Sequence, residues 1–107
     1  MDRDKLGPPP GMRLGIRVDC VVRRDHPSAL HRVQAIGGLS RAGEPWRLSE
    51  NAVIAAIDDE RSTFYVEWPP GHRIDIVVAH GLGKRYLKTE ADGELPDRLL
   101  SLRDCGT

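Results

Sequence analysis

The chain has 107 residues, of which 39% are hydrophobic and 30% are charged, and this composition excludes an intrinsically disordered protein. Sixteen basic and sixteen acidic residues give a formal net charge of zero. That balance argues against a dedicated nucleic-acid-binding protein, because such proteins carry a basic excess. The charge is uneven, however: residues 1–41 carry eight basic and four acidic side chains, whereas residues 42–68 carry two and six. These regions can pair within the fold or support head-to-tail self-association.

The length fits one domain. Residues 1–12 mix charges with three consecutive prolines and predict a disordered tail, which leaves residues 13–107 as a single domain. Cys20 and Cys105 are too few for a disulfide framework. No apolar run resembles a signal peptide or approaches the ~20 residues of a membrane helix. We therefore expect a cytoplasmic protein with reduced thiols and no membrane partner.

The clearest strand in the sequence covers residues 14–22. Its apolar and polar residues alternate with a period of two, which places Leu14, Ile16, Val18, Cys20 and Val22 on one face. A second strand is predicted from His31 to Ile36. We expect it to stop at Gly37 and Gly38 and to be followed by a loop over residues 39–47.

A helix is predicted to begin at Ser49 and to run for about ten residues. Serine is a good N-cap, and Glu50 suits the positive end of the helix dipole. An apolar stripe follows on one face of the helix, formed by Val53, Ile54, Ala56 and Ile57. The acidic residues 58–60 are unfavourable at a helix C-terminus and mark its end.

Three further strands are predicted over residues 63–68, 72–80 and 84–90, with proline and glycine turns between them. The tail over residues 92–105 is expected to cap one edge of the core with a short helical turn. The order is β-β-α-β-β-β. Because the strand-to-strand connections are hairpin-short, the sequence predicts an α+β fold with a mostly antiparallel five-stranded sheet and one helix packed on one face.

Several motifs occur in a distinctive order. Ile36-Gly37-Gly38 precedes Trp46 and the helix, and the pattern YLKT-x-x-DG at residues 86–93 is followed by LLSL-x-x-C at residues 99–105. Over residues 14–105 the chain resembles a small bacterial family catalogued as domain of unknown function 3892. The resemblance implies a common architecture and a bacterial setting but supplies no chemistry. The chain departs from the family pattern at Asp97 and Arg98, where asparagines are usual, and at Arg103, where proline is usual.

No constellation of residues indicates catalysis, a metal or a cofactor. The four histidines and two cysteines have none of the spacings of a metal site, and the serines lie in no nucleophile elbow. Gly81-Leu82-Gly83-Lys84 reads as a hairpin turn and not as a phosphate-binding loop. Cys105 is either a thiol activated by the neighbouring Arg103 or a small residue that closes the core edge behind Leu102. A disulfide between Cys20 and Cys105 requires the tail to return to the first strand. A small thiol or hydrolytic enzyme therefore has no motif to support it.

The sheet face opposite the helix is the most informative surface. If Leu87 points inward, strand parity turns a mixture of tyrosine, arginine and lysine outward, where it can dock a peptide, stack bases or form solvated ion pairs. We expect a non-enzymatic binding or interaction module with a protein or peptide partner, using this open face or an exposed edge strand. The alternative is single-stranded nucleic-acid binding through the same face. The candidate binding residues are Arg17, Arg23, Tyr65, Arg73, Lys84, Tyr86 and Lys88.

Overall fold

The computed structural model describes residues 15–106, which form eight strands and two α-helices. The α+β class is confirmed. The predicted tail, residues 1–12, and the predicted start of the domain at residue 13 lie outside the described residues. The elements, in chain order, are β1 (Gly15–Arg17), β2 (Cys20–Arg23), a 3₁₀ turn (Ala29–His31), β3 (Val33–Leu39), β4 (Pro45–Ser49), α1 (Glu50–Asp58), β5 (Thr63–Glu67), β6 (Arg73–Gly81), β7 (Lys84–Thr89), α2 (Asp97–Leu100) and β8 (Arg103–Asp104).

The strands form two sheets of four strands each. Sheet one has the order β1-β5-β6-β7, and sheet two has the order β4-β3-β2-β8. Both are mixed, because β1 pairs parallel with β5 and β2 pairs parallel with β8, whereas the other pairs are antiparallel. The prediction of a single, mostly antiparallel five-stranded sheet is therefore wrong.

The main cause of this error is a corner in the strand predicted over residues 14–22. The Val18 amide donates to the Tyr65 carbonyl of sheet one at 2.8 Å, and the next amide, Asp19, donates to the Gly37 carbonyl of sheet two at 3.0 Å. The chain thus changes sheets at Val18–Asp19. The alternation shifts there as well: Ile16 packs against the core before the corner, and Val21 lies in the core after it.

The second error concerns the β3–β4 hairpin. Strand β3 runs through the two glycines to Leu39, and Pro45–Ser49 form β4, whereas the sequence predicts a loop over residues 39–47. The two glycines allow the backbone of neighbouring strands to lie close to β3. A Cβ on Gly37 would lie 2.5 Å from the Trp46 carbonyl oxygen, and one on Gly38 would lie 2.8 Å from the Arg17 carbonyl oxygen. Because backbone oxygens of other strands lie this close to β3, only glycine fits at positions 37 and 38.

The predicted helix is confirmed. The Ser49 hydroxyl accepts a hydrogen bond from the Ala52 amide at 3.1 Å, which satisfies a free donor of the first turn. Val53, Ile54 and Ala56 are buried. They join one core with apolar side chains from both sheets and α2, among them Val21, Ile36, Phe64, Val66, Ile76, Leu87 and Leu99.

The remaining strands agree closely with prediction, since β5, β6 and β7 fall within one residue of the expected bounds at each end. Trp68, the last residue of the strand predicted over residues 63–68, lies beyond the end of β5 and is 60% exposed. The tail does cap the core, because Leu99 on α2 is fully buried. No helix formed by residues 15–106 has the length and apolar character needed to cross a membrane.

Candidate functional site

The two tyrosines predicted on the outer face of sheet one have different surroundings. Tyr86 is buried, and its hydroxyl donates to the Glu94 carbonyl at 2.7 Å, because the chain after β7 folds back beside it. The expectation that Tyr86 points into solvent is therefore wrong. Tyr65 is half-buried, and the Arg73 guanidinium lies 4.3 Å from its ring centroid. These two rings do not form an open stacking platform.

The cations predicted for this face are engaged by neighbours. Arg17 pairs with Glu67 at 3.7 Å, and Arg73 pairs with Asp75 at 3.3 Å. Lys88 donates to the Gly93 carbonyl at 2.8 Å. The outer face of sheet one is therefore a surface of local ion pairs and hydrogen bonds, with Arg17, Tyr65 and Arg73 grouped on β1, β5 and β6.

Two predicted residues lie elsewhere. Arg23 belongs to sheet two, where its guanidinium donates to Asp104 at 2.6 Å and to the carbonyls of the C-terminal segment. Parity had placed it on the Tyr65 face, and that placement is wrong because the chain changes sheets before β2. Lys84 turns toward the start of α1 and donates to the buried carboxylate of Glu50 at 2.8 Å.

A polar cavity of about 210 Å³ opens beside this Glu50–Lys84 pair. Its lining includes Arg24, His31 and Asn51. The His31 ring stacks on that of His26 at 4.5 Å, and its Nδ1 atom is buried without a hydrogen-bond partner. Burial lowers the pKa of His31 below its ordinary value of 6.5, and electrostatic interactions with His26 and Lys84 lower it further. His31 therefore resists protonation in the folded chain.

Cys20 and Cys105 form a disulfide, with their Cα atoms 4.8 Å apart. The tail returns to the first half of the chain through β8, which pairs with β2, and the Cys105 amide donates to the Val21 carbonyl at 3.1 Å. The expectation of reduced thiols is wrong on this point, and Cys105 is neither a free thiol nor a plug behind Leu102. The predicted cytoplasmic location stays a prediction.

The disulfide lies in a surface depression of about 220 Å³, which we name the disulfide groove. Register explains how it forms: Arg47, Gly37, Cys20 and Arg103 occupy one row across β4, β3, β2 and β8. Residues paired in this way project from the same face of a sheet. A Cβ on Gly37 would lie 3.2 Å from both sulfur atoms, so the missing side chain makes room for the disulfide. Its lining includes Leu39, Pro45, Arg47, Arg103 and the two cysteines.

The sequence prediction misses this groove because it places a loop over residues 39–47, where β3 ends and β4 begins. The signal that could have found it is the alternation of Trp46 and Leu48 with Arg47 and Ser49, directly after a glycine-containing turn. Trp46 obeys that alternation. Its ring packs toward the core, 6.3 Å from the Phe64 ring centroid.

The free edges of the two sheets differ in how they are protected. On the β7 edge, the Leu87 amide donates to Glu50 at 3.1 Å and the Thr89 amide donates to Asp92 at 3.0 Å, so side chains already occupy these backbone donors. Edges β1 and β8 are only three and two residues long. Strand β4 has five residues, all exposed except half-buried Trp46, and among the described strands it pairs with β3 alone. It is the edge most open to another chain.

Within residues 15–106, no three His, Cys, Asp or Glu side chains come together as a metal-binding group. A family model described as "Protein of unknown function (DUF3892)" matches residues 17–103. Neither the curated proteins nor the solved structures include a detectable match to this chain.

Proposed function

This chain belongs to the DUF3892 family of proteins of unknown function, and on that premise we propose that it is a small non-enzymatic binding module. In this proposal, an extended segment of a partner protein adds as a strand to the free edge of β4, and its side chains enter the disulfide groove. Main-chain hydrogen bonds supply affinity in this mode of recognition, and pockets for alternate side chains supply specificity.

The observation that carries the proposal is the contrast between β4 and the opposite long edge. Glu50 and Asp92 accept hydrogen bonds from amides of β7, which leaves that edge poorly suited to a new strand. Strand β4 is longer than β1 or β8 and lies beside the groove. Leu39, at the groove, is 55% exposed and offers an apolar contact to an incoming side chain.

The surroundings of the two tyrosines weigh against the nucleic-acid alternative. Bases bind single-strand-binding proteins by stacking on exposed aromatic rings. Tyr86 is buried, and Arg73 lies over Tyr65. The groove supports peptide docking better than the outer face of sheet one supports base stacking.

The test is a selection of random ten-residue peptides displayed on phage, followed by affinity measurement and amide chemical-shift mapping on the ¹⁵N-labelled protein. We expect shifts on β3, β4 and the C-terminal segment. Leu39→Ser should weaken binding roughly tenfold, because it removes an apolar contact equivalent to about 1.4 kcal/mol. Leu82→Ser is the matched control, since Leu82 is also exposed, at 79%, but lies in the β6–β7 turn.

A third variant, Tyr65→Ala, probes the outer face of sheet one. Binding that Tyr65→Ala abolishes and Leu39→Ser leaves unchanged would move the site to that face and refute the β4 assignment. A selection that yields no peptide binder would refute the proposal altogether.

A further inference from the structure

We infer that the segment bound at β4 is acidic, with a carboxylate side chain beside Arg47 at the β4 edge of the disulfide groove and an apolar side chain two positions away. This inference rests on the proposed function and specifies the chemistry of its partner. The features that carry it are the row of residues across sheet two and the charges at the two ends of that row.

The row places a cation on each side of the disulfide. Arg47 stands on β4 and Arg103 on β8, with Gly37 and Cys20 between them. Neighbouring strands lie about 4.8 Å apart, so the two arginine Cα atoms are separated by three such spacings, or about 14 Å. Arg47 lies on the strand directly beside the added segment and can pair with a carboxylate there, and Arg103 adds to the positive field from the far side of the groove.

These positive charges are incompletely neutralised within the described chain. Arg47 donates to the Gly106 carbonyl at 2.9 Å and makes no ion pair among residues 15–106. Arg103 pairs with Asp19 at 3.2 Å, but its side chain is 61% exposed and a surface pair of this kind contributes little. Among residues 15–106, Arg47 and Arg103 are the only charged side chains that line the groove. A carboxylate therefore complements the groove, and a basic side chain is repelled.

The same charges disfavour a second copy of this chain as the occupant. Antiparallel pairing of β4 with β4 of another copy is two-fold symmetric, so a pairing centred on this strand would bring its middle residue, Arg47, beside its symmetry mate. Like charges directly opposite each other destabilise paired strands. The edge thus favours a different chain that carries negative charge.

The spacing of the recognised residues follows from strand geometry. Pro45 lies two residues before Arg47 on β4 and pairs with Leu39, so these two apolar side chains project from the same face as the row. A strand added to β4 places its alternate side chains on that face. When one of these side chains lies beside Arg47, the side chain two positions along lies beside Pro45 and Leu39.

The experiment repeats the phage selection on the wild-type protein and on Arg47→Glu/Arg103→Glu. Wild-type selections should be enriched in Asp or Glu two positions from Leu, Ile, Val or Phe, and the charge-reversed variant should select Lys or Arg instead. Arg98→Glu, an exposed substitution outside the groove, is the control and should keep the acidic preference. Peptides that bind β4 without acidic enrichment, or an enrichment that charge reversal does not invert, would overturn the inference and leave the proposed function standing.

A second measurement does not depend on how the double variant folds. The affinity of a peptide selected on the wild type should fall as sodium chloride increases, and Arg47→Gln should reduce that affinity roughly tenfold and flatten the salt dependence. An affinity that is insensitive to salt, or unchanged by Arg47→Gln, would overturn the acidic assignment. Failure to select any peptide at all would instead count against the proposed function itself.

Discussion

Helix α1 carries two carboxylates that each pair with a cation near the start of β7. The two pairs differ in burial, so we expect them to contribute very differently to the free energy of unfolding. Glu50 pairs with Lys84 at 2.8 Å, and the two side chains are 7% and 22% exposed. Asp58 pairs with Arg85 at 2.6 Å, and both side chains are 43% exposed. The two pairs join the same elements, so a comparison of their pairwise coupling energies tests the effect of burial.

We expect Glu50→Ala to lower the free energy of unfolding by about 3 kcal/mol. Breaking a buried ion pair costs about 3–5 kcal/mol. The partial exposure of Lys84 lets its ammonium regain water, which places the effect at the lower end of that range. The loss includes the buried Leu87 amide, whose hydrogen bond to Glu50 disappears. Asp58→Ala should cost at most about 1 kcal/mol, because the pair is solvated and Asp58 lies at the negative end of the helix.

Urea unfolding followed by circular dichroism measures these differences by linear extrapolation. Double-mutant cycles with Lys84→Ala and Arg85→Ala then separate the pairwise coupling from other effects of each substitution. Coupling should be clear for Glu50–Lys84 and close to zero for Asp58–Arg85. Equal losses from Glu50→Ala and Asp58→Ala, or a Glu50–Lys84 coupling below about 0.5 kcal/mol, would refute the argument that burial decides the contribution.

Three further predictions test other parts of the structure. Replacing Cys20 and Cys105 by alanine should lower the free energy of unfolding by about 4–5 kcal/mol, because the bond closes a loop across a sequence separation of 85 residues; an unfolding curve identical to that of the oxidised wild type would contradict the bond. Gly38→Ala should cost about 1–3 kcal/mol in the same assay, since its Cβ would lie 2.8 Å from a carbonyl oxygen, whereas Gly93→Ala, with nothing within 4 Å, should cost almost nothing; equal costs would count against close approach at Gly38. Because the pKa of His31 is lower in the folded than in the unfolded chain, the unfolded state binds more protons below pH 6.5 and stability should fall as the pH drops through that value. His31→Gln should reduce this slope, and an unchanged slope between pH 5 and 7.5 would argue against the lowered pKa.

Local signals predicted the parts of the fold that depend on neighbouring residues. The cap at Ser49 and the apolar stripe of α1 lie within one segment, and β5 to β7 are joined by short turns whose proline and glycine residues are legible in the sequence. In these segments, the burial of one face and the preference of the backbone agree.

The corner at Val18–Asp19 could not be predicted in this way. The alternation of apolar residues continues through it in the sequence, and the change of sheet is imposed by hydrogen bonds to Tyr65 and Gly37, which lie far along the chain. Because glycine is a common strand breaker, the sequence predicts that the second strand ends before Gly37 and Gly38. Their actual role depends on the backbone of Trp46 and Arg17, which packs against them and cannot be inferred from the residues next to them in the sequence.

The candidate site was predicted less completely than the fold. Parity correctly grouped Arg17, Tyr65 and Arg73 on one face. It could not foresee the chain after β7, whose Glu94 carbonyl binds the hydroxyl of Tyr86. The alternation over residues 46–49 could indicate β4, but the groove itself depends on a row that joins four strands distant in sequence.

The corner in the first strand has a consequence for how the molecule comes apart. Residues 15–23 are one continuous run of chain, and they contribute a strand to each sheet. Neither sheet can therefore unfold without displacing a strand of the other, because β1 in sheet one and β2 in sheet two belong to the same continuous segment. The two sheets are joined by this segment, so we expect them to unfold in a single cooperative step and not as two separate units.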